Sequence, residues 1–287
     1  MNLKLTVILM IMLFVARIYM KKKVLIVGLI FLMLAIGLSG CLSGRYTDYF
    51  NGEYDSTENT VFKITTFNGQ IELYGWDNDT VSLNAIKRSS ISQDELDKVD
   101  INVDESDDNI EIETVYTGQR VTQPAVDINL KVPTYITIDT VKTSNGAIII
   151  ENAKGNITAD SSNGAITIEN IDGYVTATTS NGNIDVTGTT GIKDLQTSNG
   201  IIKAEIYDFQ GNIVISTSNG GITVYINPSL NADIKMQTSN GVITLNEISM
   251  NFTTNEEKYK EAILGDGGNE ISLQTSNGNI KLYELNV

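Results

Sequence analysis

Aliphatic and polar residues alternate along most of the chain after residue 60, and beyond residue 140 the alternation keeps phase with one triplet. Ser-Asn-Gly stands at Ser144-Asn145-Gly146, Ser162-Asn163-Gly164, Ser180-Asn181-Gly182, Ser198-Asn199-Gly200, Ser218-Asn219-Gly220, Ser239-Asn240-Gly241 and Ser276-Asn277-Gly278. Successive asparagines are 18, 18, 18, 20, 21 and 37 residues apart, a period of about 18 with small insertions and one long gap. Two residues after each glycine comes an isoleucine, at Ile148, Ile166, Ile184, Ile202, Ile222, Ile243 and Ile280, and two further on an aliphatic residue from Ile150 through Leu282. A period of two puts these side chains on one face of a strand. In the three most regular units a second glycine follows nine residues later, at Gly155, Gly173 and Gly191. Each unit therefore predicts strand, turn, strand, turn. Asn-Gly is assigned to the turn because glycine lacks a Cβ and asparagine tolerates the left-handed region.

Two architectures satisfy this pattern. Asn-Gly is a favoured hairpin turn, so the units could form an antiparallel meander. Identical residues at fixed phase favour the other arrangement, an all-β single-stranded parallel β-helix or solenoid with coils of about 18 residues, because each isoleucine then stacks on the next at strand spacing. The same stacking aligns Asn145, Asn163, Asn181, Asn199, Asn219, Asn240 and Asn277 in a ladder whose amides bond one another along the axis. Residues 61–140 predict strands without the strict period, at 61–65, 70–74, 81–85, 99–103, 109–114 and 126–132, with a short helix at 92–98 carrying Ser92 and Glu95 as a capping box. This block is expected to cap the first coil, since an open solenoid end exposes unpaired backbone. Residues 248–269 are expected to be a helical insertion between the sixth and seventh triplets.

The amino-terminal segment follows different rules. Lys21, Lys22 and Lys23 precede the apolar run Val24 to Leu38, which closes with Leu38-Ser39-Gly40-Cys41. This is the charged and then apolar order of an export signal. Its end resembles the lipobox of lipoprotein precursors, making residues 1–40 the signal, Cys41 the lipid attachment site and 41–60 the anchor and tether. The competing reading is a transmembrane helix, for which fifteen residues is short. A second apolar run, Leu5 to Ala16, lies ahead of the lysines and points to Met20 as the natural start.

Composition then removes whole classes of chemistry. The chain has 287 residues, no histidine and one cysteine, so it holds no Ser-His-Asp or Cys-His nucleophile, imidazole zinc site or internal disulfide. A net charge of −15 leaves no basic surplus for nucleic acid. The excess is greater in the body than in the whole, because residues 1–40 carry Lys4, Arg17 and the three lysines and no acid. Such a body is repelled by anionic headgroups and stands off the membrane its lipid would grip.

The run Phe67-Asn68-Gly69-Gln70-Ile71-Glu72-Leu73-Tyr74-Gly75-Trp76-Asp77, then Asp79-Thr80-Val81, then Val132-Pro133, followed by the reiterated Thr-Ser-Asn-Gly-x-Ile, resembles the putative-adhesin family of domains of unknown function, surface β-strand-repeat proteins of bacteria and archaea. The similarity covers Val61 to Val287. It implies a right-handed β-helix on the cell surface, without catalytic residues or a cofactor.

Other chemistry is weaker. Carboxylates cluster at Asp77 and Asp79, at Asp104, Glu105, Asp107 and Asp108, and at Asp266 with Glu270. None has EF-hand spacing, and the repeat lacks the aspartates of the calcium-binding nonapeptide. Trp76, the only tryptophan, is expected to cover the first coil, with sugar stacking as the alternative. Three N-x-Thr triplets, at Asn78, Asn156 and Asn251, fit an exported protein. The expected function is that of a lipid-anchored surface scaffold or adhesin binding glycan or protein through an extended face. A carbohydrate-active β-helix enzyme and an envelope-sensing accessory protein are the alternatives.

Overall fold

The computed structural model describes residues 46–106, 108–119 and 121–286. The export signal, both candidate starts and Cys41 lie outside the described residues, as does Asp107.

Alternation in the repeats becomes an all-β, solenoid-like stack in which every coil contributes one strand to each of two ladders. The first ladder runs β3 (Ile71–Trp76), β9 (Ile148–Lys154), the first half of β11 (Ile166–Thr179), the first half of β12 (Ile184–Thr197), β13 (Ile202–Ile206), β15 (Ile222–Ile226), β21 (Ile280–Glu284) and β17 (Ile243–Asn246). The second runs β2 (Val61–Thr66), β8 (Thr137–Thr143), β10 (Ile157–Ser161), the second halves of β11 and β12, β14 (Phe209–Asn219), β20 (Glu270–Asn277) and β16 (Ala232–Thr238). All these pairings are parallel, which removes the meander. Register follows the triplet, with Ile148, Ile166, Ile184, Ile202, Ile222, Ile280 and Ile243 side by side in that order. All seven are buried in one continuous core shared by both ladders. Parallel pairing puts equivalent positions side by side, so isoleucine fills one row of the interior, while the next inward row mixes Leu73, Ile150, Ile168, Val186, Ala204, Val224, Leu282 and Leu245.

Spatial order departs from chain order at both ends. The first coil in sequence, β2 and β3, lies beneath a further coil made by β6 (Asn109–Tyr116) and β7 (Ala125–Pro133), which pair with it in parallel. At the other end, the last coil, β20 and β21, is inserted between the coil of β14 and β15 and the coil of β16 and β17. Each outer coil is then covered by antiparallel strands. β4 (Thr80–Ser89) lies on β7, β1 (Tyr46–Asp55) on β4, and β5 (Val99–Ser106) on β6. β19 (Tyr259–Leu264) lies on β16 and β18 (Asn251–Asn255) on β19. A reversed strand breaks the parallel repeat and blunts the edge on which another coil could continue.

These end structures correct three expectations. Residues 248–269 are not helical: they hold the β18–β19 hairpin, whose alternating Tyr259, Glu261 and Ile263 opposite Gln237, Lys235 and Asp233 fit a pleat. The tether does not extend to residue 60, since 46–55 is β1, paired along its whole length with β4. The helix α1 (Gln93–Leu96) has Ser92 at its N-cap without a side-chain cap bond. Glu95 does not close a capping box but turns inward, where Lys98 Nζ donates to it at 2.7 Å and the Tyr116 hydroxyl also donates.

Candidate functional site

The repeated Thr-Ser-Asn-Gly lies where the second ladder turns toward the first, and its four residues have four separate jobs. Threonine, or serine at 161, is the last inward residue of each strand. Its buried hydroxyl donates to the glycine carbonyl of the neighbouring coil: Thr143 to Gly69 at 2.8 Å, Ser161 to Gly146 at 2.9 Å, Thr179 to Gly164 at 2.9 Å, Thr197 to Gly182 at 2.9 Å, Thr217 to Gly200 at 3.0 Å, Thr275 to Gly220 at 2.9 Å and Thr238 to Gly278 at 2.8 Å. A carbonyl at the end of a strand is thereby satisfied without a further ladder bond.

Asparagine forms the row along the stack. Asn163 donates to Asn145 and Asn181 to Asn163 at 2.7 Å, Asn199 to Asn181 at 2.8 Å, and Asn219 to Asn199, Asn277 to Asn219 and Asn240 to Asn277 at 2.9 Å. The seven asparagines therefore form one chain of amides, with Asn277 between Asn219 and Asn240 because its coil is inserted there. Each of the five inner amides uses one N–H and one oxygen lone pair within the row, while Asn145 at one end only accepts and Asn240 at the other only donates. All seven side chains are exposed; Asn199 and Asn277 also donate to the Ser180 and Ser218 carbonyls at 3.5 and 3.4 Å, and the remaining amide valences face outward.

Glycine answers to sterics between coils and not to turn geometry. None of the seven triplet glycines or asparagines has a positive φ, so the left-handed explanation does not hold for them. A Cβ on Gly164 would lie 1.8 Å from the Gly146 oxygen, and one on Gly278 would lie 1.8 Å from the Gly220 oxygen, with the other five between 1.9 and 2.0 Å from theirs. The coils approach too closely at this corner for any side chain. Left-handed residues occur at another corner, at Asn152 (φ 56°), Asn170 (φ 55°) and Gly188 (φ 61°). There Asn170 donates to Asn152 at 3.3 Å, a two-rung amide pair that sequence reasoning missed although its 18-residue spacing was visible.

Serine is exposed like the asparagine that follows it, and near the carboxyl-terminal end it borders a recess of about 320 Å³. Ser216, Gln274 and Gln237 form one row of it across β14, β20 and β16. Ser218, Ser276 and Ser239 form the next row. No ionisable side chain lines it, although the same outward row toward the amino-terminal end holds the Lys142–Asp160 ion pair at 3.0 Å. At its outer border Tyr259 stands opposite Gln237. Its hydroxyl donates to Glu261, and Lys235 Nζ lies 5.8 Å from the ring centre. The bond to Glu261 is the main cause that holds the Tyr259 hydroxyl above the usual tyrosine range.

Other candidates are not assembled. Among the described residues no group of three or more His, Cys, Asp or Glu is placed to hold a metal ion. The Trp76 indole N–H donates to the Thr80 carbonyl at 2.9 Å, and Lys131 Nζ lies 5.5 Å from the ring centre, so the ring is tied into its own turn and partly covered. The Asn156 side-chain oxygen accepts from the Tyr174 backbone N–H at 3.1 Å.

A family model described as Toastrack DUF4097 matches residues 55–283. Among solved structures, the chain is similar to one described as a putative cell adhesion protein from Clostridium sporogenes, with 15% identity over 84% of this chain and 100% of that one and a TM-score of 0.35. It is similar to a putative adhesin from Bacteroides fragilis, with 12% identity over 82% of this chain and 97% of that one and a TM-score of 0.40. It is also similar to a putative lipid binding protein from Parabacteroides distasonis, with 13% identity over 82% and 96% and a TM-score of 0.41. No curated protein matches the chain.

Proposed function

Since the chain belongs to the Toastrack DUF4097 family, we propose that it is an exported surface module that binds a partner along an extended face of its stack, in the manner of an adhesin or scaffold. The signal ending at Gly40 is removed, Cys41 carries lipid, and the coil follows the right-handed path that the family resemblance implies. The partner is a glycan or a protein, met by many individually weak polar contacts.

One observation carries this reading, the unbroken row of seven asparagine amides. Consecutive coils lie about 4.8 Å apart, so the row presents an exposed carboxamide edge at each step, with a second N–H left free except at Asn199 and Asn277. One such contact contributes little, but several acting on one polymer raise affinity by effective concentration without any single strong site. The row is also held by its own hydrogen bonds before a partner arrives, which lowers the ordering cost of binding.

The test joins localisation with binding. Full-length protein extracted from membranes should yield a lipid-modified Cys41 as its first residue by mass spectrometry, and intact cells should be labelled by an antibody against the repeats. The extracted chain should bind cells, glycans or matrix proteins. An unmodified Cys41 would overturn the anchor. Turnover of a saccharide polymer with no stable binding would overturn the binding reading in favour of an enzyme.

A further inference from the structure

On the binding reading just given, we infer that the recess across β14, β20 and β16 is the place where the partner is held, and that it takes a neutral, polyhydroxylated saccharide chain. Three observations point to that class.

The first is the state of the lining groups. Thr197, Thr217 and Thr275 have their hydroxyls engaged with the glycine carbonyls of Gly182, Gly200 and Gly220. They build the floor. Gln274 Nε2 donates to Ser272 at 2.7 Å. Among the described residues, the side chains of Ser216, Ser218, Ser276, Ser239 and Gln237 have no protein hydrogen-bond partner; they line the recess, Ser216 half-buried and the other four exposed. Each hydroxyl both donates and accepts, and so matches a sugar hydroxyl in either orientation.

The second is charge. A chain with a net charge of −15 would repel an anionic polymer; no cationic side chain lines the recess, and the ammonium of Lys258 at its edge is already engaged with the Ser239 carbonyl at 3.0 Å. Nor does the recess contain a carboxylate to attract a basic peptide. Protein partners generally require a desolvated anchor of aromatic residues or arginine, whereas here the lining is hydroxyl and carboxamide throughout.

The third is the aromatic border. Directly opposed residues of an antiparallel pair share a face, so Tyr259 stands on the recess side beside Gln237. Its hydroxyl bond to Glu261 and the nearby Lys235 amine hold the ring in place. A fixed ring at the edge of a neutral polar trough offers a flat surface to the C–H face of a sugar while the hydroxyls meet the serines and glutamines.

The experiment uses full-length, detergent-extracted protein and immobilised hexasaccharides of glucose, mannose, galactose and galacturonate. At least one neutral hexasaccharide should bind and the galacturonate should not. Gln237→Glu combined with Gln274→Glu changes two exposed side chains and should weaken binding about tenfold or more, as charge displaces neutral hydrogen-bonding groups. Tyr259→Ala should weaken it as well, Tyr259→Phe, which keeps the ring but loses its bond to Glu261, should weaken it less than Tyr259→Ala, and Thr187→Glu on the other ladder should leave it unchanged. The recess assignment is overturned if only galacturonate or a protein binds, or if the glutamine and Tyr259→Ala variants bind as the parent does. If cells still bind the chain while no neutral saccharide does, the recess assignment falls and the surface-binding reading stands. If a neutral saccharide binds in the recess but no cell or matrix does, the recess assignment stands and the adhesin role falls.

Discussion

Replacing Gly182 by alanine separates two explanations of the triplet glycine. If glycine were present for a left-handed turn, Gly182→Ala would cost about 1–2 kcal/mol, the ordinary penalty for an L-residue in that region. Gly182 does not have a positive φ, and the structure gives a different cause. The new Cβ would lie 2.0 Å from the Gly164 oxygen and 2.5 Å from its carbonyl carbon, where ordinary contact begins at 3.4 Å. The two coils would have to part by about 1.4 Å at this corner. Three hydrogen bonds meet there: Thr179 to Gly164 at 2.9 Å, Asn181 to Asn163 at 2.7 Å and Thr197 to Gly182 at 2.9 Å. Each contributes about 0.5–1.5 kcal/mol net, so losing most of them costs about 2–4 kcal/mol, a large part of a typical domain's stability. Gly211 is the control, because its φ is 70° and a Cβ there would meet nothing within 4 Å. Urea denaturation of Gly182→Ala and Gly211→Ala, followed by circular dichroism, should rank the first as clearly the more damaging. Equal losses, or the reverse order, would refute the steric account.

Three further outcomes follow from the same geometry. Asn199→Asp places a carboxylate opposite the Asn181 oxygen in place of the donor now at 2.8 Å; thermal unfolding should show a loss of about 1 kcal/mol at neutral pH that is partly recovered below about pH 4, where the carboxyl regains a proton. Amides of β20 and β21 should exchange with deuterium as slowly as those of β12, because their coil is paired on both sides; rapid exchange typical of a fraying terminus would contradict the inserted coil. The hydroxyl of Tyr174 donates to Asp208 at 2.6 Å, and this bond, followed by burial, raises its pKa. Its folded form thus holds the proton more tightly than its unfolded form, so the contribution to stability is complete below about pH 10 and is lost as pH rises through the raised value. Tyr174→Phe should flatten stability across that alkaline range, and an unchanged pH profile would show the bond contributes nothing.

How much was legible depended on whether a residue's role was repeated. The isoleucines at 148, 166, 184, 202, 222, 243 and 280 revealed an inward face because burial every second residue leaves a period in the sequence. The asparagine row was readable for the same reason, as equal phase in stacked coils means adjacency in space. The hairpin at 251–264 was misread because Asn255 to Leu264 also fits helical spacing, and a short apolar set does not discriminate between periods. The recess had no signal of its own. Ser216 and Gln237 lie 21 residues apart, and Gln274 is a further 37 away, yet Gln274 lies between them.

The sequence by itself determined the unit: two short strands per coil, an aliphatic interior, a hydroxyl, an amide and a glycine at one corner, and an acidic exterior. These follow from local sterics and from the period, which every coil repeats. Only the tertiary structure decided the order of the coils. The identical ladder edges of a repeat accept any coil in register, and it is the antiparallel strands β4, β5 and β19, with the segments that lead into them, that send 109–133 outside 61–76 and 232–246 outside 270–284. That choice also brought Gln274 between Ser216 and Gln237 and so made the recess, because side chains on separate coils become neighbours only when long-range pairing sets which coil lies next to which.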